Sequence, residues 1–376
     1  MENFIPVCEP ALLGNEKKYL LDAVESGWIS SAGKYVSEFE TQFAQYCGVE
    51  HGIGVCNGTV AIHLALVALG IGKGDEVIIP NFTMIATAFA VCYTGATPVF
   101  VEADPKSWNI SVEKIEEKIT TKTKAIIPVH IMGLICDMDP ISAIAKKYNL
   151  YVIEDAAEAH GAEYKGKKSG SLSHLATFSF FANKNLTTGE GGMVVTNDSE
   201  LATKSRYFKN LCFPLEGARE YNHADIGFNY RISNLHAAVG LAQLEKAEQY
   251  TEMRINNFRI YQEMLGDIQG ISTQVWDESI YKHVHWMNAI KIDPEVYGRN
   301  RDELMGILRK EGIDSRKLFN GMHTQKSLKD FGCALEGEYS VTEDLSKNGL
   351  YLPSSSTLRK SQIRRICEVI YGAKRL

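Results

Sequence analysis

The sequence predicts an α/β fold, and three observations carry that prediction. Between residues 51 and 197, short β-branched, apolar runs alternate with segments of helical character. The alternation persists without an internal repeat or a low-complexity segment. An apolar strand, LYVI, runs straight into an aspartate, Asp155, which places a carboxylate at a strand's carboxyl end, where α/β proteins bind their ligands.

Taken in order, residues 13–48 read as helical on either side of a turn at WISSAGK. HGIGVC (51–56) is a strand entering the helix NGTVAIHLALVALG, and GDEVIIP (74–80) is a strand entering FTMIATAFAVCYTG. TPVFVEAD (97–104), TKAIIPVHI (123–131) and LYVIEDAA (150–157) are further strands, with SVEKIEEKI (111–119) and DPISAIAKKYN (139–149) as helices between them. LATFSFF (175–181) and GGMVVTN (191–197) are neighbouring strands, and residues 232–266 form a long helical stretch. Residues 1–250 are expected to form a large α/β domain with a helical N-terminal segment, and 251–376 a smaller α+β domain closed by the helix SQIRRICEVIYGAKR.

Composition narrows the function. The chain of 376 residues is 45% hydrophobic and 23% charged, with a net charge of −6, a balance unsuited to nucleic acid or an anionic membrane surface. The start lacks the basic and apolar regions of a signal peptide, and AIIPVHIMGLI (125–135) is too short to cross a bilayer. Eight dispersed cysteines without a C-x-x-C pair suit free thiols in the cytoplasm. The ten histidines show no metal-ligand spacing, so no metal is expected.

Several loops invite a phosphate reading. GIGVCNG misses G-x-G-x-x-G by one residue, and GAEYKGKK has Lys168 where a P-loop needs Ser or Thr, so both read as turns. Asn57-Gly58-Thr59 is stronger: a strand ending at a helix N-terminus offers free N–H groups and the positive end of the dipole, although a plain cap has the same signature. Asp155 is either a cap or a fixed negative partner for a ring nitrogen. Glu158 and His160 follow closely.

The remaining oddity is Lys184 in SFFANKNLTTGEGG, a lysine behind an aromatic run. Either it snorkels to the surface or its nitrogen is used. Burial disfavours the ammonium, and a neutral amine attacks carbonyls. An anion site at a helix start, a strand-end aspartate and such a lysine are together the requirements of pyridoxal 5′-phosphate, with its phosphate, ring nitrogen and aldehyde.

With those residues in view, the chain resembles the DegT/DnrJ/EryC1/StrS family of pyridoxal-phosphate-dependent sugar aminotransferases, and within it the perosamine-synthase group. The resemblance runs through VCNGTVAIHLALVALGIGKGDEVIIP, VIEDAAEAHGAEYKGKKSGSL, FSFFANKNLTTGEGGMVVTND and IGFNYRISNLHAAVGLAQLE, nearly the whole chain. It implies the fold type I architecture: a large, mixed, mostly parallel seven-stranded sheet and a small C-terminal α+β domain. It implies that Lys184 carries the cofactor, that Asp155 holds the pyridine nitrogen protonated, and that Gly58, Thr59 and Ser179 bind the phosphate. Glu158 would lie near the ring hydroxyl, and Asn229 would reach the phosphate of the partner subunit in a homodimer with shared sites. The implied reaction moves an amino group from L-glutamate, leaving 2-oxoglutarate, to a keto- or aldehydo-sugar in amino-sugar biosynthesis for surface polysaccharide, by default a nucleotide-linked 4-keto-6-deoxyhexose.

Met84 stands where the family usually stacks an aromatic residue on the cofactor ring. REYNHADIGFNYR (219–231), LFNGMH (318–323) and LPSSSTL (352–358) also depart from the usual pattern, which points to a changed carbonyl substrate. His160, Arg219, Arg231, Arg316 and His323 are the candidates for gripping it. Other acceptors in view are a terminal aldehyde on an eight-carbon ulosonic acid and a small phosphorylated ketone. A sugar dehydratase is disfavoured by Lys184, where such relatives carry histidine, and a non-catalytic sensor by the absence of an appended DNA-binding segment.

Overall fold

The computed structural model describes residues 4–218 and 221–374. Two helices, α1 (Glu16–Glu25) and α2 (Lys34–Cys47), precede β1 (His51–Val55), α3 (Gly58–Ala68), β2 (Glu76–Pro80), α4 (Ile85–Tyr93), β3 (Thr97–Val101), β4 (Thr123–Ile126), α5 (Met138–Tyr148) and β5 (Tyr151–Asp155). A short hairpin, β6 (Glu163–Tyr164) and β7 (Lys167–Lys168), leads to β8 (Leu175–Ser179), β9 (Gly192–Thr196), α6 (Ser199–Lys209), α7 (Asn234–Leu244) and α8 (Ala247–Leu265). The expected helix at 111–119 is instead two 3₁₀ turns, Val112–Lys114 and Glu116–Lys118, too short for an α-helical hydrogen-bond ladder. The stretch 232–266 breaks into α7 and α8 at Glu245 and Lys246.

Seven strands form one sheet in the order β1-β9-β8-β5-β4-β2-β3. β9 pairs antiparallel with both β1 and β8, and every other pairing is parallel. This is the mixed, mostly parallel seven-stranded sheet that the family resemblance implied. Strand periodicity assigns the two faces. Ile78, Ile126, Val152, Ala176, Phe178 and Val195 pack on one side with α2, α5 and α7. Val77, Ile79, Ala125, Ile153, Leu175 and Val194 pack on the other with α3 and α4. Both faces are covered, which is why these strands are apolar nearly throughout.

Downstream lie β10 (Ile271–Ser272), β11 (Tyr281–Lys282), β12 (Asn288–Ile292), α9 (Pro294–Tyr297), α10 (Arg301–Lys310), β13 (Arg316–Lys317), α11 (Lys326–Phe331), α12 (Ser340–Asn348), β14 (Gly349–Leu352) and α13 (Lys360–Ala373). An antiparallel sheet, β10-β12-β14-β13, shares a core with α8, α10 and α13. β11 instead joins the β6–β7 hairpin, so GAEYKGKK is a turn, as its sequence suggested. Among the described residues no helix is long and apolar enough to cross a membrane.

The aromatic run before Lys184 is explained by this packing. Phe178 and Phe180 point into the α2 face, where their rings meet the fully buried Phe43 edge-on at 4.9 and 5.1 Å. Thr177 and Ser179 point the other way, towards α3. Phe43→Ala removes the ring around which this cluster closes. It is expected to destabilise the protein by about 3–5 kcal/mol, read as a fall in the urea midpoint with the slope unchanged.

Candidate active site

The α3 and α4 face of the sheet ends in a cavity of about 620 Å³ at the carboxyl ends of β5 and β8. Asp155 shares its face with Ile153, so its side chain emerges there. It is 5% exposed and accepts hydrogen bonds from Thr87 Oγ1 at 2.7 Å and the Ala157 N–H at 3.2 Å. Burial pushes its carboxyl above the usual range, opposed by those two donors and by the nearby Lys184.

Lys184 enters the same cavity from the segment after β8. Its side chain is 12% exposed, and the nearest carboxylate oxygen, Glu158 Oε1, is 3.9 Å away, beyond hydrogen-bonding distance. Burial lowers its pKa, while Glu158 and Asp155 pull it back up. Trp286 lies under the amine, with Nζ 3.9 Å from its ring centroid. Glu158 is 3% exposed and accepts the Met132 N–H at 2.8 Å.

The opposite wall is the start of α3. Asn57 caps the helix by accepting the Val60 N–H at 3.0 Å. The N–H groups of Gly58 and Thr59 belong to the first turn, which no intrahelical carbonyl serves, and both residues line the cavity. A Cβ on Gly58 would stand 2.6 Å from the Ser179 Cβ, so only glycine lets the helix start and the end of β8 close together. Met84, N-cap of α4, is 51% exposed at the cavity wall.

The cavity therefore gathers Gly58, Thr59, Met84, Asp155, Glu158, Ser179 and Lys184. The other candidates lie outside its lining. His160 is 1% exposed, packs against Phe43, Phe178 and Phe180, and is held neutral by burial at a pKa of about 3. Asn229 is exposed, in a backbone bridge to Asn210, whose side chain accepts Arg231 Nη1 at 2.8 Å. Arg316 pairs with Asp314 on exposed β13. His323 stacks on Tyr339, with Nδ1 2.7 Å from the Asn81 amide nitrogen. Arg219 falls outside the described residues.

Sequence reasoning missed Thr87, Trp286, Phe319 and Tyr351, all of which line the cavity. Thr87 carried a signal: it is a hydroxyl in the first turn of an apolar helix, directly after a strand end. The other three come from the C-terminal part of the chain, and no local pattern marks them.

Pyridoxal phosphate can be tested against these residues. A helix N-terminus free for an anion, a buried carboxylate for a ring nitrogen and an amine that meets no hydrogen-bond partner among the described residues all open on one cavity. The buried Thr83 Oγ1 and Asn183 Oδ1, on residues lining it, also lack partners among the described residues. The cofactor fits this donor set. The fold and site together are of the kind that vitamin B6 enzymes build.

Comparison with known proteins agrees. The model of the DegT/DnrJ/EryC1/StrS aminotransferase family matches residues 11–371. GDP-perosamine synthase of Caulobacter vibrioides is 45% identical, over 96% of this chain and 96% of its own. That of Escherichia coli O157:H7 is 44% identical, over 98% of both. Among solved structures, DesI, determined in the presence of its TDP-sugar product, superposes with a TM-score of 0.91 at 31% identity, over 100% of this chain and 94% of its own. The chain belongs to the DegT/DnrJ/EryC1/StrS aminotransferase family.

Burial raises the Glu158 carboxyl to about 7, against an ordinary value of 4.5. A carboxyl raised on folding costs nothing while protonated in both states; stability is lost as the pH rises from the unfolded value through about 7. In cofactor-free protein, Glu158→Gln should therefore gain on wild type between pH 5 and pH 8, measured as the difference in urea midpoints. A difference independent of pH would show that Glu158 does not ionise in this range.

Proposed function

We propose that this protein is a pyridoxal-phosphate-dependent aminotransferase that moves the amino group of L-glutamate to a nucleotide-linked keto-sugar, by default a 4-keto-6-deoxyhexose. One observation carries this reading: Lys184 and Asp155 open on one cavity at the N-terminus of α3. When bound, the cofactor supplies a reversible link to amines and a ring that accepts electrons. Asp155, oriented by Thr87, would hold the ring nitrogen protonated. Gly58, Thr59 and Ser179 would receive the phosphate, Glu158 would stand by the ring hydroxyl, and Met84 would pack against the ring. Lys184 would hold the cofactor, and its amine, when free, would move the proton at the donor's α-carbon as base and acid. Its lowered pKa suits that work, because a neutral amine accepts a proton.

The same reading makes the protein a cytoplasmic homodimer with its chain divided near residue 250. Supporting the dimer, Leu20, Leu21, Val24, Trp28 and Ile29 are 38–59% exposed, an apolar surface of the kind that partners cover. Asn229 is exposed and stands outside its own cavity, as a residue serving the other subunit would. The GDP-perosamine synthases among its relatives support a nucleotide-sugar acceptor.

Borohydride reduction of the holoenzyme followed by peptide mapping should fix the cofactor on Lys184 alone. Lys184→Ala should lose that label, the visible absorption and at least a thousandfold of turnover, roughly the range of acid–base catalysis. Label on another lysine would end the proposal. Glutamate should bleach the wild-type absorption, and a carbonyl panel of a GDP-linked 4-keto-6-deoxyhexose, an eight-carbon ulosonic aldehyde and a phosphorylated ketone should restore it with the first.

A further inference from the structure

Trp286 is fixed more firmly than a cavity-lining side chain needs to be. It is 3% exposed, and its indole N–H donates to the Asn183 carbonyl at 2.9 Å, one residue before Lys184. The ring and the lysine backbone are thus tied together, with Nζ 3.9 Å from the ring centroid. The Trp286 N–H donates to the Met132 carbonyl at 2.9 Å, and the Trp286 carbonyl accepts the buried Arg254 guanidinium at 2.5 Å.

The residue before it, His285, has φ 46°, in the left-handed region where a side chain larger than glycine is strained. Its ring is stacked between Phe258 at 3.7 Å and His283 at 3.8 Å. His283 in turn accepts the His285 N–H at 3.0 Å and meets Gln274 at 3.1 Å. Three hydrogen bonds on Trp286 and a strained, doubly stacked neighbour therefore serve to aim one indole face. An ammonium over that face is attracted by the ring's quadrupole, which a neutral amine is not.

We propose that Trp286 is the positioning residue for Lys184, an aromatic platform that holds the amine in its protonated state between proton transfers. The inference rests on the proposed function for its catalytic meaning, but the contact itself is a property of the cofactor-free protein. Burial and the platform act oppositely on the amine: loss of hydration favours the neutral form, and the indole favours the ammonium. Asp155, Glu158, Cys8 and Arg254 also bear on Lys184, and all four side chains are retained when Trp286 is replaced.

The test uses cofactor-free protein. The rate of Lys184 acylation by acetic anhydride is followed peptide by peptide from pH 6 to 11, normalised to exposed Lys310. In Trp286→Leu the midpoint should fall by about half to one pH unit, the size of a cation–π contact. A ring that only filled space would, when removed, admit water and move the midpoint up. A midpoint that rises or stays within 0.2 unit, a bound set at about the resolution of such a titration, overturns the proposal. Trp286→Phe keeps a face but loses the bond to Asn183; it should fall between the two and provides the reading if the leucine variant does not fold. Because no turnover is measured, failure here leaves the aminotransferase assignment untouched, and failure of the borohydride test leaves this one readable.

Discussion

Two neighbouring carboxylates close β5, and the site depends on both being buried without being abandoned. Strand geometry sends Glu154 and Asp155 to opposite faces of the sheet. Glu154, with no exposure at all, is met by His130 Nε2 at 3.0 Å, the Gly170 and Leu172 N–H groups at 2.9 Å each, and Ser173 Oγ at 3.0 Å. His130 Nδ1 accepts the Cys136 N–H, so Nε2 carries the proton that reaches Glu154. An unpaired buried carboxylate would cost several kcal/mol. Fully bonded, Glu154 instead pins the end of the strand and the loop before β8, and so fixes where Asp155 emerges. Asp155 has fewer partners, and that deficit leaves it available to a ligand.

The second constraint is one turn of backbone. Met132, at φ 57°, donates its N–H to Glu158 and accepts the Trp286 N–H with its carbonyl. Gly133 follows at φ 98°, its carbonyl accepts the Val284 N–H, and a Cβ there would meet Val284 at 2.8 Å. One tight turn thus sets two side chains that flank Lys184, although they lie far apart in the chain.

This division explains how much could be read from the sequence. The strands and helices of the seven-stranded sheet were legible because covered strands are continuous apolar runs and caps such as Asn57 mark helix starts. Lys184 and Asp155 were legible because each breaks its surroundings: a charge beside an apolar run demands an explanation. Trp286 broke nothing. A tryptophan in a strand-like stretch reads as core, and its place under the lysine follows from the long-range turn at Met132 and Gly133. The split of residues 232–266 was equally hidden, since Glu245 and Lys246 are good helix formers and tertiary packing ends α7 there. Arg316 and His323 stood out by residue type alone, yet each is engaged away from the cavity, by Asp314 and by Asn81 and Tyr339 respectively.

The order of the strands bears on how the protein is made. β1 is the first strand of the sheet to leave the ribosome, but among the described residues its one neighbouring strand in the sheet is β9, with His51 opposite Thr196. Until the chain has been synthesised past that point, Ile53 and Val55 have no strand beside them and their edge stays open. Closing this edge of the sheet is accordingly a long-range event. The start of α3 and the end of β8 meet in that same closing step, so the cavity between them takes shape only once the chain has grown past residue 196 of 376.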